Sequence, residues 1–453
     1  MVESINILEF LEDHLWAYIA CPVVIIFGLY LSFSSGFIQI RRFPSILRIF
    51  WAFLTTKDRC PRGIHPIQAF FASVGGCVGV GNVVAICTAV QLGGPGALFW
   101  IWVTALMGMV IKYSEVYLGL RFRVRNDEGS YNGGPMYFLQ HAFKGKTFAY
   151  LAAFLLCIYG VEVAQFRIIT MAITSNLDIN EYFVIALLLS LVLFAASGGI
   201  RRVGTISTAI IPIFVTLYVG MGTWVLLNNL NAIPEVLSTV FSEAFTGTAA
   251  AGGLLGSALM KTMSEGMRRG CYTGDVGVGY ASIIHSESSS TVPERQATLA
   301  IVDIFLDTYV ICTTSVMLIL VTGVWNSGLP TALLVQTALD QYFPYMHFFM
   351  PFFLFLLGYS TINAYFCVGL KCADFIWPNH GKKLYYLYAV SALVFFSFFD
   401  SSKAQALMGI AGGLLLLINC YGIFRLRHEL SFDIDGDLAP APNFNSELVS
   451  DQP

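Results

Sequence analysis

Charged residues are scarce in this chain, and their scarcity limits the classes of protein to which it can belong. Asp, Glu, Lys and Arg make up 12% of its 453 residues, whereas 56% are hydrophobic and the mean hydropathy is +0.70. Soluble globular domains carry about 25% charged residues. The composition therefore excludes a soluble globular domain, and we expect a lipid bilayer as the surroundings and no nucleic acid as a partner.

Motifs for metal binding and for hydrolysis are also missing. The ten cysteines are scattered along the chain without a Cys-x-x-Cys pair, so we interpret them as small apolar packing residues. Neither His-Glu-x-x-His nor Gly-x-Ser-x-Gly occurs in the sequence. The chain therefore carries no signature of a membrane enzyme.

Apolar stretches long enough to cross about 30 Å of hydrocarbon recur along the chain. Basic residues fall mainly in alternate loops between them, which by the positive-inside rule predicts an external N-terminus and a cytoplasmic C-terminus. We expect eleven transmembrane helices, which begin near Trp16, Ile67, Gly94, Thr147, Tyr182, Thr205, Thr248, Thr298, Met346, Leu384 and Ala404.

Two glycine-rich segments interrupt these apolar stretches. The pattern Gly-x-Val-Gly-Val-Gly occurs at 76–81 and again at 274–279. Glycine weakens helices, and hydrocarbon tolerates irregular backbone only where protein or a water-filled cavity surrounds it. One copy alone would favour close helix packing. Two copies at equivalent positions favour the broken helices of a transporter's binding site.

The spacing of the apolar stretches predicts an internal repeat. The starts at Thr147 and Tyr182 are followed, after a nearly constant offset, by those at Met346 and Leu384. Each half holds five spans, an odd number, so the second half enters the membrane from the opposite side and the repeat is inverted. We divide the chain into a leading transmembrane helix, a basic cytoplasmic loop, two five-helix repeats and a disordered acidic cytoplasmic tail, at 1–40, 41–66, 67–228, 245–427 and 431–453.

The stretch from 248 to 285 does not fit one straight helix, because it is too long and carries Arg268 and Arg269 in its middle. Either 249–264 crosses the membrane and the rest re-enters, or the crossing is 271–285. The residues alone favour neither path.

Ionisable residues inside apolar stretches are costly and are usually paired or functional. Lys112 and Glu115 are three residues apart, so we expect them to neutralise each other on one helix face. Glu162 and Arg167 are five residues apart and do not share a face. Each of these two therefore needs a partner elsewhere in the protein, or a substrate.

Polar oxygens near the first glycine segment are candidate ligands of a metal ion. Asn82 follows the segment directly, and its amide oxygen could coordinate a cation or hydrogen-bond to another helix. Ser360 and Thr361 lie in the middle of a span, where their hydroxyls could add ligands or bond to their own helix. The residues leave both interpretations open.

Several segments resemble the sodium:alanine (alanine or glycine:cation) symporters, in order and at the expected spacing from about Gly63 to Gly422. The segments that carry the resemblance are 68–71, 78–82, 93–102, 133–137, 266–270 and 305–308 with 312–313. The resemblance implies an all-α integral membrane protein with the leucine-transporter-type 5+5 inverted repeat and one extra N-terminal helix. It also implies sodium-driven uptake of small neutral amino acids in a bacterial inner membrane, with sodium as the coupling ion and no other cofactor.

The resemblance further implies positions for the ions and the substrate. One sodium ion would be bound by Gly75, Val78, Ser360 and Thr361, and a second, substrate-linked sodium ion by Asn82 and the carbonyl of Cys77. The substrate would contact Gly79, Val80, Gly81, Gln165, Asp275, Gly277, Gly279 and Tyr365, with its carboxylate on the backbone of 79–81.

The sequence departs from the family around this site. Val80 stands where the family usually has Thr, and Glu162 and Arg167 replace residues that are commonly Asn. We therefore keep two alternatives to sodium symport. One is proton-coupled or exchange transport of a different amino acid, with Asp275 or Glu162 carrying the proton, and the other is an amino-acid sensor that does not transport.

Overall fold

The computed structural model of the protein describes residues 7–55, 62–126, 129–246, 255–399 and 402–435. These residues are helical almost throughout, which confirms the predicted all-α class. The exception is a short hairpin in which β1 (Val124–Arg125) pairs antiparallel with β2 (Tyr131–Asn132).

Twelve helices form the first part of the described chain. A π-helical turn, Trp16–Ala20, joins the first two, and a 3-10 turn, Val80–Asn82, precedes the sixth. The helices are α1 (Ile7–Leu15), α2 (Cys21–Ser34), α3 (Ile38–Arg41), α4 (Phe43–Thr55), α5 (Pro66–Cys77), α6 (Ala85–Gly93), α7 (Ala97–Arg121), α8 (Pro135–Phe143), α9 (Thr147–Tyr159), α10 (Val163–Leu177), α11 (Glu181–Ala196) and α12 (Gly199–Asn228).

The second part of the described chain adds nine helices. A π-helical segment, Phe305–Cys312, lies between the sixteenth and the seventeenth, and 3-10 turns occur at Val324–Asn326 and Arg427–Glu429. The helices are α13 (Ile233–Thr246), α14 (Leu255–Gly274), α15 (Tyr280–Ser286), α16 (Pro293–Ile304), α17 (Thr313–Val321), α18 (Thr331–Asp340), α19 (Met346–Ile376), α20 (Gly381–Phe398) and α21 (Ser402–Arg425).

Seven helical stretches of the described chain are long and apolar enough to cross a membrane, or eight if α5 and the helix that ends at Gly93 are one span bent by 55°. α11 is also apolar but shorter. α9 and α19 begin at the predicted residues, Thr147 and Met346. Large apolar side chains such as Phe194 and Trp224 are exposed on the outer helices, where lipid tails would cover them. The protein is an integral membrane protein.

The helices differ in how deeply they are buried. In the most apolar part of α19, 89% of the residues are buried inside the molecule, compared with 28% for α12. α19 therefore lies at the centre, where it packs on α5, α9 and α10, while α7 packs on α14, α15 and α16. These central helices carry the polar residues discussed below.

The predicted loop 41–66 is wrong in part, because α4 occupies Phe43–Thr55. Apolar residues recur in it at helical spacing, and one side of the helix packs on the rest of the molecule, with Ile46 fully buried. The ring of Phe43 lies 5.0 Å from that of Phe305, and Phe50 lies 5.1 Å from Phe70. The sequence pattern was overlooked because basic residues flank it.

The start of the predicted disordered tail is packed against the helices. Tyr113 donates a hydrogen bond to the carbonyl of Ser431 (2.8 Å) and its ring stacks on Phe432 at 5.3 Å. Asp435 forms a 2.5 Å ion pair with Arg42. The packed chain therefore extends past the predicted boundary at 431, and the rest of the tail, 436–453, lies outside the described residues.

The stretch 248–285 follows neither of the two predicted paths over its described part. α14 runs without interruption from Leu255 to Gly274, five residues follow without helix, and α15 then begins. Arg268 is accommodated within α14 because it pairs with Glu265 of its own helix at 2.9 Å and with Asp13 of α1. Residues 248–254 lie outside the described part.

We expect Gly266→Ala to destabilise the protein, because α14 and α7 approach too closely here for a side chain. A Cβ atom at Gly266 would lie 2.5 Å from the carbonyl oxygen of Ala97 and 2.9 Å from Cβ of Trp100. Overpacking of this kind costs about 1–3 kcal/mol. The measurement is the Tm of the purified protein in detergent.

Gly256 of the same helix is the matched control, because no atom of the described residues lies within 4 Å of a Cβ atom added there. Gly256→Ala should leave Tm unchanged or raise it, since Ala is the better helix former by about 1 kcal/mol. Equal effects of the two substitutions would contradict the close approach of α14 and α7.

Candidate functional site

Both glycine segments break their helices, as the sequence predicts. α5 ends at Cys77, Gly79 is extended, and a 3-10 turn leads into α6. The amide of Gly79 donates to the side-chain oxygen of Asn82 (2.9 Å), not to the carbonyl of Gly75 as it would in a continuous helix. The break therefore leaves the Gly75 carbonyl without its helical partner.

The second break lies between α14 and α15 and contacts the first. Asp275, Gly277 and Gly279 all have positive φ angles, of 49°, 71° and 100°. Tyr280, the first residue of α15, donates its hydroxyl to the carbonyl of Ala72 in α5 at 2.9 Å. The two broken helices thus pack directly against each other.

Four oxygen atoms gather beside the first break. The hydroxyl of Thr361 donates to the Gly75 carbonyl at 3.1 Å, and the hydroxyls of Ser360 and Ser207 lie 2.8 Å apart. A Cβ atom at Gly75 would collide with both serine hydroxyls, so only glycine allows this approach. Three of these residues, Gly75, Ser360 and Thr361, were predicted from the sequence, and α12 adds Ser207. Backbone and hydroxyl oxygens of this kind suit a sodium ion.

Asn82 is buried on the other side of the break. Its side-chain nitrogen donates to Asp307, and its backbone carbonyl accepts a hydrogen bond from the hydroxyl of Ser315 at 2.7 Å. Thr308 donates to the second carboxylate oxygen of Asp307 at 2.8 Å. Asp307 and Thr308 lie in the π-helical segment Phe305–Cys312, and such segments occur frequently at functional sites.

A buried ion pair connects the two breaks. The ammonium group of Lys112 lies 2.9 Å from the carboxylate of Asp303 in α16, and both side chains are fully buried. Lys112 also donates to the Cys77 sulfur and to the Gly274 carbonyl, each at 3.0 Å. A single cation therefore contacts the last residue of α5 and the last residue of α14.

The predicted pairing of Lys112 with Glu115 is wrong. Lys112 turns toward Asp303, whereas the carboxylate of Glu115 lies beside the backbone of Gly279 and Ser282 at the start of α15. The amide end of a helix attracts a negative charge. The carboxylate is nevertheless buried, and neither of its oxygens has a hydrogen-bond partner among the described residues.

Glu162 lies at a third interruption, between α9 and α10. It is buried, adopts a left-handed conformation with φ of 46°, and accepts a hydrogen bond from Gln165 at 3.0 Å. Gln165 in turn accepts a hydrogen bond from the amide of Val80 at 3.2 Å. Arg167 takes no part in this series of hydrogen bonds and donates to the carbonyl of Phe399.

A cavity of about 320 Å³ leads to this site from the end of the molecule where α1 begins. Val80, Gly81, Gln165 and Tyr272 line its floor, together with residues of α1 and α21 nearer the mouth. Three of the predicted substrate contacts, Val80, Gly81 and Gln165, therefore share one accessible space.

The other predicted substrate residues are enclosed. The hydroxyl of Tyr365 donates to Asp275, and the second oxygen of this carboxylate accepts a hydrogen bond from the Cys77 sulfur at 3.1 Å. Gly277 and Gly279 face α21 and α8, where Asn419 donates to the Gly277 carbonyl at 2.9 Å. The structure does not bring these two glycines to the cavity.

The end of the molecule opposite the cavity mouth carries Arg123, Lys371 and Lys382, and we call it the basic end. Hydrogen bonds and ion pairs close the structure there. Arg123 donates to the carbonyls of three serines at and after the end of α15, at 3.0, 2.6 and 2.7 Å; they are Ser286, Ser288 and Ser290. Burial lowers the pKa of Arg123 to about 10, so it remains charged at neutral pH. Lys371 pairs with Glu287.

A sequence model of the sodium:alanine symporter family matches residues 1–434. The chain belongs to this family. The protein is therefore a transporter and not an enzyme, in agreement with the resemblance found in the sequence. The central breaks fall within the region matched.

Relatives in this family align over most of their length. The chain is 32% identical to the uncharacterized transporter YflA of Bacillus subtilis, over 84% of this chain and 83% of that protein. It is 29% identical to the sodium/alanine symporter AgcS of Methanococcus maripaludis, over 94% and 95%. It is also 27% identical to the probable sodium/glutamine symporter GlnT of B. subtilis, over 93% and 88%.

Two solved structures are similar in fold to this chain. MhsT in complex with L-phenylalanine aligns with a TM-score of 0.50 at 18% identity, over 86% of this chain and 85% of that chain. A manganese transporter variant from Eremococcus coleocola aligns with a TM-score of 0.50 at 12% identity, over 78% and 75%. At these identities the likeness concerns the fold of the symporter alone.

Lys112, Asp303 and Ser207 belong to the site but are not among the residues predicted for it from the sequence. The signal for the first two was present, because each is an ionisable residue within a span. Their pairing, however, joins α7 to α16, and no local spacing reports a contact of that range. Ser207 carried no signal, since a lone serine in a helix usually bonds to its own backbone.

We expect the Lys112 and Asp303 substitutions to be strongly non-additive. Lys112→Met leaves a buried carboxylate without its ion partner and should cost about 3–5 kcal/mol of stability, whereas adding Asp303→Leu should restore most of the loss. The measurement is a double-mutant cycle on unfolding in detergent.

The control is a half-exposed ion pair, Arg42 with Asp435. Breaking it by Arg42→Met should cost less than about 1 kcal/mol. Additive losses at 112 and 303 would contradict the coupling.

Proposed function

We propose that the protein is a sodium-coupled symporter of small neutral amino acids, of the alanine or glycine type, that works by alternating access. The oxygen cluster beside the first helix break carries this proposal. It combines a backbone carbonyl released by the break, which accepts a hydrogen bond from Thr361, with the hydrogen-bonded hydroxyls of Ser207 and Ser360. The naming of AgcS as a sodium/alanine symporter supports the choice of ion and substrate.

The sodium ion in this proposal is bound by Gly75, Val78, Ser360 and Thr361, with Ser207 as a further ligand. All of these side chains are buried. Desolvating a sodium ion requires that protein oxygens replace its water. A second, substrate-linked sodium ion would use Asn82 and the carbonyl of Cys77, close to the carboxylate of Asp307 to which Asn82 donates.

The substrate in this proposal enters through the cavity above Val80 and Gly81. Its carboxylate would rest on the backbone of 79–81, since amides at a helix start attract anions. Gln165 already bonds to the amide of Val80 and would exchange this contact for the substrate. Asp275 and Tyr365 would enclose the substrate from below, and Gly277 and Gly279 would shape the second break.

Alternating access requires that the helices with the two breaks move against the rest of the fold. We propose that the chain crosses the membrane eleven times, as a leading helix followed by inverted repeats at 67–228 and 245–427. The N-terminus would be outside and the basic end cytoplasmic, in a bacterial inner membrane. The cavity would then be open to the outside while Arg123 and Lys371 hold the cytoplasmic side closed.

We expect purified protein in liposomes to accumulate radiolabelled alanine when an inward sodium gradient is applied. One sodium ion moving through 100 mV provides about 2.3 kcal/mol, and a tenfold gradient adds about 1.4 kcal/mol. Coupling to one sodium ion per substrate therefore allows accumulation of up to a few hundredfold when both the potential and the gradient are present, and uptake should vanish without sodium. Alanine binding without flux would instead identify a sensor.

Thr361→Val tests the sodium site directly, because it removes one oxygen and keeps the side-chain shape. The sodium concentration for half-maximal uptake should rise roughly 5- to 150-fold, the equivalent of a lost polar contact of about 1–3 kcal/mol. Ser397→Ala is the control, since Ser397 is also a buried hydroxyl but donates to its own helix at Leu393. An unchanged sodium dependence in Thr361→Val would overturn the assignment.

Proton coupling is the second candidate, and the buried carboxylate of Glu162 favours it. Glu162 is one hydrogen bond from Gln165, which contacts the first break. If Glu162 carries a coupling proton, native uptake should strengthen at low external pH without sodium, and Glu162→Gln should abolish that dependence. Arg167→Gln serves as the control at the other substituted position. Sodium-dependent uptake with the same pH profile in the native protein and in Glu162→Gln would exclude this mechanism.

A further inference from the structure

A second and larger cavity, of about 520 Å³, lies at the basic end, away from the two helix breaks. It is bounded by the β1–β2 hairpin, by α8, by the first turn of α9 and by the helix ends where α19 gives way to α20. Its volume is in the range of ligand pockets in proteins, about 300–1,000 Å³. The transport mechanism proposed above does not use it.

The lining of this cavity is strongly cationic. Four cationic side chains and one carboxylate, Asp374, face it. Asp374 lies 3.4 Å from Lys382, and Lys371 is paired with Glu287 outside the cavity. Lys146 has no acidic partner in the described part of the chain. The four cations are Arg125, Lys146, Lys371 and Lys382.

Aromatic side chains place the cavity at the level of the membrane surface. Tyr150, in the first turn of α9, is 42% exposed, and Trp377, directly after α19, is 55% exposed. Tyr and Trp at span ends are typical of the interface between lipid and water. Within the cavity Phe375 packs between Tyr137 and Tyr150, with ring centroids 5.6 and 5.4 Å away. An anionic group at this depth would contact both cations and aromatic rings.

We propose that this cavity binds a phosphate-bearing anion and that the headgroup of an anionic phospholipid is its source. Lys and Arg side chains at hydrogen-bond distance from a phosphate form charge-assisted contacts, and basic pockets between transmembrane helices bind anionic lipid headgroups. A free phosphate compound shares this chemistry but does not need the interfacial position. The proposal requires only that the protein is in a membrane, and not that it transports any particular substrate.

The bound headgroup has a structural consequence at the cytoplasmic closure. Lys371 lines the cavity and also holds Glu287, the carbonyl of Tyr131 (3.2 Å) and the side chain of Asn132 (3.1 Å). The hairpin that carries Tyr131 and Asn132 is therefore one wall of the lipid site and one part of the closure. Lys371 therefore belongs both to the proposed lipid site and to the contacts that close the basic end.

The test is a lipid titration of the purified full chain in detergent, followed by Tm. The probes are phosphatidylglycerol, zwitterionic phosphatidylcholine and, in a separate arm, inorganic phosphate. The variant Arg125→Gln with Lys146→Gln removes two lining cations that do not hold Glu287. The matched control, Lys144→Asn with Lys383→Gln, removes two exposed cations outside the cavity.

We expect phosphatidylglycerol, but not phosphatidylcholine, to raise Tm of the native protein and of the control. The apparent Kd for phosphatidylglycerol should weaken in the cavity variant by about tenfold for each cation removed. The charge-preserving variant Arg125→Lys with Lys146→Arg should retain binding, which separates loss of the site from misfolding. Stabilisation by inorganic phosphate that the cavity variant loses would assign the site to a soluble phosphate compound.

Equal stabilisation of the cavity variant and the control by phosphatidylglycerol would show that the effect is general surface electrostatics, and it would overturn the proposal. Absence of any shift in the native protein, by lipid or by phosphate, would overturn it as well. Neither result would bear on sodium-driven uptake, which is measured separately in liposomes. Failure of this proposal is therefore distinguishable from failure of the proposed transport function.

Discussion

The structure depends on one constraint, which is that a helix broken inside hydrocarbon must find new partners for its backbone groups. Water is absent there, and an unpaired amide or carbonyl costs several kcal/mol. At and beside the two breaks, backbone groups are bonded by side chains from six helical segments and by Asn82 itself. The pairs are Gly79 with Asn82, Val80 with Gln165, Gly75 with Thr361, Ala72 with Tyr280, Asn82 with Ser315, Gly274 with Lys112 and Gly277 with Asn419.

This requirement explains why polar residues concentrate at the centre of an otherwise apolar protein. Lys112 satisfies a carbonyl of α14, and its charge in turn requires Asp303. Asn82 satisfies an amide of the first break and in turn contacts Asp307. Each of these two backbone groups is thus bonded by a polar side chain, and this side chain in turn is bonded by a second polar side chain. The resulting network holds the two breaks in contact without a continuous helix.

The sequence allowed the prediction of what is local. Both breaks, the start of α9 and the start of α19 were predicted from glycine spacing and apolar length, and the family was recognised from motifs. Three of the residues in the oxygen cluster, Gly75, Ser360 and Thr361, came from the resemblance. What failed was contact at long range: Lys112 was assigned to Glu115, its neighbour on the helix, because sequence spacing reports neighbours within one helix and not those across the bundle. Helix α4 was overlooked because charge around it suggested a loop.

The length of α15 sets the thickness of the wall between the site and the basic end. Seven residues in a helix rise about 10 Å, which is a third of the hydrocarbon thickness of about 30 Å. The carbonyls at its end are bonded by the guanidinium of Arg123. Only about two helical turns therefore lie between the second break and the contacts of Arg123. In the proposed mechanism, movement of the second break would reach these contacts directly through this one short segment.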